Sequence, residues 1–176
     1  MNFFNEDVSI YGEYARIIKK YSKTSDTDGE EWKISNGIDN AESVKIFSSY
    51  IDCLYAGAAI GLANHKKISD SDPSSLDRKK KANILQSAWK NRRKDFLHLY
   101  SLMVLTDPDL GMDKDQRVKK AFSDVPDGTS DHEFAFFLQY AYGGLEEMDK
   151  ELSGIRNYKE LSDYACRTIL RYKGEE

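Results

Sequence analysis

The chain has few of the residues that interrupt regular secondary structure. It contains three prolines and eleven glycines among 176 residues, which favours long helices over many short strands joined by turns. A long apolar run is also missing. The small-residue stretch 53–63 holds eleven residues between Asp52 and Asn64, whereas a membrane-spanning helix needs about 20 apolar residues. We therefore expect no membrane contact.

Cysteine is equally scarce. Cys53 and Cys166 are the two cysteines, and neither has a second Cys or a His near it at zinc-finger spacing. Their apolar neighbours predict that both are buried thiols. A secretory signal is not indicated, because Glu6 and Asp7 stand where such a signal carries basic residues. Together these features predict a protein of the reducing cytoplasm.

The residues that are plentiful are typical of one globular domain. Hydrophobic residues make up 40% of the chain, aromatic residues 12% and charged residues 32%, a balance that can bury a core without disulfides or a structural metal. The prediction is an all-α fold, a compact single-domain bundle covering residues 1–176 with two polar loops at 22–40 and 68–78. Trp32 and Ile34 are expected to anchor the first loop to the core.

Apolar residues at helical spacing predict six or seven helices and no convincing strand. Residues 76–90 fit either a helix or an extended chain. Asn40, Asp113, Ser130 and Asn157 are predicted as N-terminal caps of the helices that follow them. The helices are expected at about 7–21, 40–63, 91–105, 113–122, 130–142, 145–152 and 157–170.

Four glycines are predicted to have structural roles. Gly57 and Gly61 are four residues apart in a predicted helix, so they lie on one face of it. A phosphate-binding loop is excluded there, because the segment lacks Gly-Lys-Ser/Thr and follows a helix rather than a strand. We predict that another helix approaches the backbone at these two positions. Gly143 and Gly144 are expected to end or kink the helix that begins near residue 130.

Charge is distributed unevenly along the chain. The formal net charge is −4, but residues 66–94 hold ten Lys or Arg against three Asp, so this segment is at +7 and the remainder at −11. Such a basic segment on an acidic body favours an anionic partner. Trp89 lies among the cations, where it either stacks on a base or packs inward beneath a solvated helix face. The residues predicted to contact nucleic acid or a partner protein are Arg78, Lys79, Lys80, Lys81, Trp89, Lys90, Arg92, Arg93 and Lys94.

No local pattern indicates a catalytic, cofactor-binding or metal-binding site. The aspartates between 107 and 115 do not form an EF-hand, because loop positions six and twelve counted from Asp107 hold Met112 and Val118 instead of Gly and Glu. His98 and the His132–Glu133 pair are the acid–base candidates, and residues distant in sequence can still meet in the fold. A small hydrolase or nuclease using His98 or His132, with or without a metal, is therefore kept as an alternative.

Three segments resemble a known family. They are residues 47–62, an Ala- and Gly-containing apolar helix; residues 96–108, a second apolar helix; and residues 137–148, which contain Tyr-Ala-Tyr-Gly-Gly-Leu. In this order they are similar to the small bacterial proteins called Dnd system-associated proteins. The resemblance implies an accessory role beside DNA phosphorothioation and restriction genes, within defence against phage, and it implies no catalytic residue.

The function predicted from these observations is that of a non-enzymatic helical accessory protein of a bacterial DNA modification or restriction system. Its expected partner is a larger protein of that system or DNA, contacted through residues 78–94. Besides the hydrolase alternative, a helical homo-oligomer without DNA contact fits the composition. Neither a cofactor nor a metal is expected.

Overall fold

The computed structural model describes residues 3–23, 32–35, 41–69, 73–122 and 131–173 of the chain. Seven α-helices and four short strands lie in these ranges. The helices are α1 (Gly12–Tyr21), α2 (Tyr50–Ala63), α3 (Gln86–Asn91), α4 (Arg93–Thr106), α5 (Lys114–Phe122), α6 (Asp131–Leu152) and α7 (Tyr158–Lys173). The strands are β1 (Val8–Tyr11), β2 (Lys33–Ser35), β3 (Ala41–Ser43) and β4 (Lys81–Ile84).

The centre of the fold is the packing of α2 against α6. Gly57 and Gly61 of α2 face α6, where an added Cβ at Gly57 would lie 2.8 Å from the Ala141 carbonyl oxygen. An added Cβ at Gly61 would overlap the Tyr140 carbonyl, and one at Gly144 would overlap the Gly57 carbonyl. The two backbones are therefore in direct contact, which is the close approach predicted for Gly57 and Gly61.

Aromatic side chains fill much of the space around this helix pair. Tyr14 of α1 stacks on Tyr142 of α6, with ring centroids 3.9 Å apart. On another side Phe96 of α4 lies 4.9 Å from Phe137 between ring centroids. Trp32 and Ile34 are buried at 5% and 1% exposure, so the predicted anchoring of the first polar segment is confirmed.

The expectation of a purely all-α fold is wrong in one respect, because two small antiparallel sheets accompany the helices. Strand β1 pairs with β4, and β2 pairs with β3. Ile10, Ala82 and Ile84 point into the core, while their neighbours in the strands stay outside. The period-two alternation that produces this is only four residues long in each strand, too short to stand out beside the helical pattern.

The strands also shift two predicted helix starts. The helix expected over 7–21 begins at Gly12, because residues 8–11 form β1. The helix expected from residue 40 begins at Tyr50, since residues 41–43 form β3, and Ser49 is its cap through a 3.3 Å hydrogen bond from the Asp52 backbone N–H. The extended alternative for residues 76–90 is found at 81–84, ahead of α3.

The helix does not end at Gly143 and Gly144, which was one of the two roles predicted for them, because α6 continues through both residues to Leu152. An added Cβ at Gly143 would overlap the carbonyl of Lys66. Their role is therefore to admit the backbone of α2 and the residues that follow it. The packing gained at these positions outweighs the low helix propensity of glycine.

Two predicted helix caps are confirmed, and two lie outside the described ranges. The Asp113 carboxylate accepts a hydrogen bond from the Gln116 backbone N–H at 2.8 Å, and the Asp113 backbone N–H donates one to Gln116 Oε1 at 3.0 Å. At the start of α7, Asn157 Oδ1 accepts from the Glu160 backbone N–H at 2.9 Å, and the Asn157 side-chain amide donates to Glu160 Oε1 at 2.8 Å. Residues 40 and 130 lie outside the part of the chain that the structure describes.

Candidate functional site

The outward side of the β1–β4 sheet presents four polar side chains next to one another. In the strand register Tyr11 lies opposite Lys81 and Ser9 lies opposite Asn83. These four residues, called here the outer sheet face, alternate with the buried Ile10, Ala82 and Ile84. Ser9 Oγ donates a 2.9 Å hydrogen bond to Asn83 Oδ1, so the Asn83 amide keeps its N–H groups available.

An arginine extends the outer sheet face at one end. The Arg78 guanidinium lies over the Tyr11 ring, 4.4 Å from its centroid, a cation–π arrangement. A hydrogen bond with Ser9, helped by Arg78 and by the charge of Lys81, lowers the pKa of the Tyr11 hydroxyl. This end of the face is thus an aromatic ring flanked by two cations.

At its other end the outer sheet face continues into a cleft of about 380 Å³ between the start of α2 and the β4–α3 connection. Asn83 belongs both to the face and to the cleft wall. We call this space the α2–α3 cleft. Among the described residues that line it, one is charged, Lys23, and none is acidic. The full lining is Lys23, Ser48, Ser49, Tyr50, Ile51, Asn83, Ile84, Leu85, Ser87, Ala88 and Asn91.

The basic residues counted in the sequence do not form one uniform surface. Lys66 pairs with Glu147 at 2.7 Å and Lys67 with the buried Asp107 at 3.0 Å, so both bind the body of the protein. Arg92 is held by Asp52 and by Asp95. These carboxylates cancel three of the ten charges that the sequence assigned to the basic segment.

The other predicted contact residues keep more of their charge exposed. Lys80 lies 3.8 Å from Glu13, a weak pair at half exposure. Arg93 lies over the Phe4 ring at 5.7 Å from the centroid. Within the described residues no ion pair or hydrogen bond engages the side chains of Lys79, Lys81, Lys90 and Lys94, and all four are exposed. They are the cations most available to an external anion.

Trp89 is not a surface residue, which corrects its place among the predicted contact residues. Its side chain is fully buried, and its ring lies 5.4 Å from Phe134 in an edge-to-face contact. The inward-packing alternative is therefore the correct one. An aromatic ring that the basic segment does reach is that of the half-buried Tyr11, which lies in the segment predicted to be a helix.

Neither of the histidines considered for catalysis is hydrogen-bonded or ion-paired to a carboxylate among the described residues. His98 and His132 are exposed, and neither makes a hydrogen bond or an ion pair with another residue in the described ranges. His132 and Glu133 line a second cleft with Tyr100 and Lys120. No group of three or more His, Cys, Asp or Glu side chains able to hold a metal is present among the residues described.

One charged cluster was not foreseen from the sequence. Asp149 of α6 accepts hydrogen bonds from Lys20 Nζ at 2.9 Å, from Arg16 at 2.9 Å and from the Tyr21 hydroxyl at 2.7 Å. Burial opposes ionisation of Asp149, but the hydrogen bonds from Lys20 and Tyr21 and the charges of Lys20 and Arg16 lower its pKa. The hydrogen bonds of this cluster join α1 to α6, so its charged groups are occupied within the protein.

The two cysteines differ from each other. Cys53 is buried, and burial raises the pKa of its thiol to about 12, so it is a packing residue at neutral pH. Cys166 on α7 is exposed, contrary to the prediction that both thiols are buried. Residue 166 follows the apolar Ala165, and the helix turns both of them outward.

Comparisons with protein-family models, with curated proteins and with solved structures found no match for this chain. The resemblance to Dnd system-associated proteins stays a prediction that depends on the three quoted segments. Among the described residues, no helix combines the length and the apolar character needed to cross a bilayer. The stretch 53–63 instead lies within α2, whose Cys53, Leu54, Gly57, Ala58 and Gly61 are buried.

Proposed function

We propose that this protein is a non-enzymatic accessory protein of a bacterial DNA modification or restriction system and that it contacts nucleic acid. The contact surface is the outer sheet face together with Arg78 and the four exposed lysines Lys79, Lys81, Lys90 and Lys94. The setting in phage defence is supported by the resemblance of the three segments. The nucleic-acid contact is supported by the chemistry of the surface.

One observation carries the nucleic-acid contact: cations without ion-pair partners lie next to an accessible aromatic ring. Lys81 stands opposite Tyr11 in the sheet, and Arg78 lies on the Tyr11 ring. Phosphates are neutralised by lysine and arginine, and bases stack on aromatic rings and guanidinium planes. An acidic protein could bind through ion pairs with the cations alone. Such binding would not require the aromatic ring of Tyr11 and the amide of Asn83.

The geometry favours a single strand over a duplex. A two-stranded sheet with an aromatic ring and polar side chains resembles a stacking platform, which requires unpaired bases. The described residues place no helix with several base-reading side chains at this surface, and α3 has only six residues. We therefore expect tighter binding to single-stranded than to double-stranded oligonucleotides.

The first test measures binding of labelled oligonucleotides by fluorescence anisotropy at about 50 mM salt. The variant with Lys79, Lys81, Lys90 and Lys94 all changed to Ala is expected to bind a single strand roughly tenfold more weakly. The slope of log affinity against log salt should also fall by up to about 3, since each lost phosphate contact on a single strand removes about 0.7.

The matched control carries the same change of charge on another part of the surface. Lys114, Lys119, Lys150 and Lys159 are exposed and have no ion pair or hydrogen bond through their side chains in the described residues. Changing these four to Ala should leave binding close to that of the wild type. Equal losses in both variants would mean that only net charge matters, and no binding by the wild type would refute the nucleic-acid contact.

A further inference from the structure

The α2–α3 cleft has the lining of a binding site for one nucleotide. Its floor is apolar, formed by Ile51, Ile84 and the half-buried Ala88, with Leu85 exposed at the side. A volume of about 380 Å³ is within the range of roughly 300–1,000 Å³ found for small-ligand pockets. Such a floor suits the flat ring of a base, which needs contact on its faces.

Polar groups stand at the edge of this floor. Ser87 and Asn91 are four residues apart on α3 and so project from one side of it, and both are exposed without a hydrogen-bond partner among the described residues. Asn83, at the end of β4 that precedes α3, offers its amide N–H groups to the same cleft. Amide and hydroxyl groups of this kind both donate and accept, as the edges of bases require.

The electrostatics of the cleft suit a phosphate group. Lys23 is the charged residue among the described residues of its wall. Two carboxylates lie close by and are engaged: Asp52 with Arg92 and the Ser48 and Ser49 hydroxyls, and Asp7 with the Gln86 backbone N–H. A small carboxylate ligand could pair with Lys23 but would not cover the apolar floor. A purely apolar ligand would cover the floor without forming hydrogen bonds to Ser87, Asn91 or Asn83.

We propose that the α2–α3 cleft binds a single nucleoside 5′-monophosphate group, with the base on the apolar floor and the phosphate toward Lys23. This group is either a free nucleotide or one residue of a strand that lies along the outer sheet face. The second source depends on the proposed function, because Asn83 joins the cleft to that face. Binding of a free nucleotide does not depend on the proposed function.

The first arm of the test uses free ligand. The ¹⁵N-labelled wild type is titrated with each deoxynucleoside 5′-monophosphate up to about 10 mM, a range that covers weak small-ligand affinities. Shifts are expected at the amides of the cleft residues, and the nucleoside without phosphate or inorganic phosphate alone should produce smaller shifts. Ser87→Asp, which places a carboxylate at the exposed rim, should remove them.

The second arm uses strands. Ser87→Asp should weaken binding of a single-stranded oligonucleotide about tenfold and leave duplex binding unchanged, because a paired base is not free to enter the cleft. Ser162→Asp is the matched control, since Ser162 is exposed on α7 and belongs neither to the lining of the cleft nor to the outer sheet face. Its binding should equal that of the wild type.

The outcomes separate this inference from the proposed function. Cleft shifts with mononucleotides alone identify a free nucleotide as the ligand, and an effect of Ser87→Asp on single strands alone identifies a residue of a strand. If neither is seen, the cleft is not a nucleotide site. In that case oligonucleotide binding that is lost in the four-lysine variant would still uphold the proposed function.

Discussion

Replacing Gly144 with alanine is expected to destabilise the protein by about 3 kcal/mol or more, although alanine normally stabilises the middle of a helix. The added methyl group would occupy the position of the Gly57 carbonyl and approach the Gly61 nitrogen. These atoms belong to the backbone of α2, so no side-chain rotation can make room. The two central helices would have to move apart, and the contacts along both would be lost.

Thermal and urea unfolding of the purified variant measure this effect. For a chain of this size about 3 kcal/mol corresponds to a fall in Tm of roughly 6–12 °C. Gly154→Ala is the matched control, because a Cβ there would lie 3.6 Å from the nearest atom, the Glu151 carbonyl oxygen, which is an ordinary contact. A Gly144→Ala protein as stable as the control would show that the backbones of α2 and α6 are not in direct contact at Gly144.

The position of this helix contact could be predicted in part from sequence. Two glycines four residues apart among alanines and leucines indicate a close helix approach, and the spacing identified Gly57 and Gly61 on one side of it. The other side was misassigned, because Gly143 and Gly144 have the same composition as a helix terminator. Only the presence of α2 against them distinguishes the two roles.

The candidate site was harder to predict for two reasons. Its strands are four residues long, so the alternation of Ser9 with Ile10 and of Lys81 with Ala82 is brief, although it is the signal that could have revealed the outer sheet face. Its cleft is built from residues near 23, 49 and 87 that meet only in the fold. The number of Lys and Arg in residues 66–94 was read correctly from the sequence. The sequence could not show that the carboxylates of Asp52 and Asp95 neutralise Arg92.

Long separation along the chain also hid the cluster around Asp149, whose partners lie 128 to 133 residues away. Lys20 is nearly buried, with its side chain 10% exposed, and Asp149 is 18% exposed. Neither lysine in a helix end nor aspartate in an acidic helix is unusual in a sequence. The pair becomes important only because burial makes an unpartnered charge costly there.

Asp149→Asn is therefore expected to destabilise the protein by about 3 kcal/mol at neutral pH, the lower end for breaking a buried ion pair, because some solvent still reaches the carboxylate. The substitution keeps the size of the side chain and removes the carboxylate that pairs with the nearly buried Lys20, whereas Arg16 keeps its ion pair with Glu13. Asp163→Asn, at an exposed position on α7, is the control and should change stability by less than about 0.5 kcal/mol.

The pH dependence gives this prediction a second, independent measurement. The folded state lowers the pKa of Asp149, so its ionised form stabilises the fold at pH values above about 3.9, the pKa of an unfolded aspartate. That contribution disappears as the pH falls through the lower folded pKa. The difference in unfolding free energy between wild type and Asp149→Asn should thus be constant from pH 5 to 7 and shrink toward pH 2. A difference that did not vary with pH would show that the loss comes from packing and not from the charge.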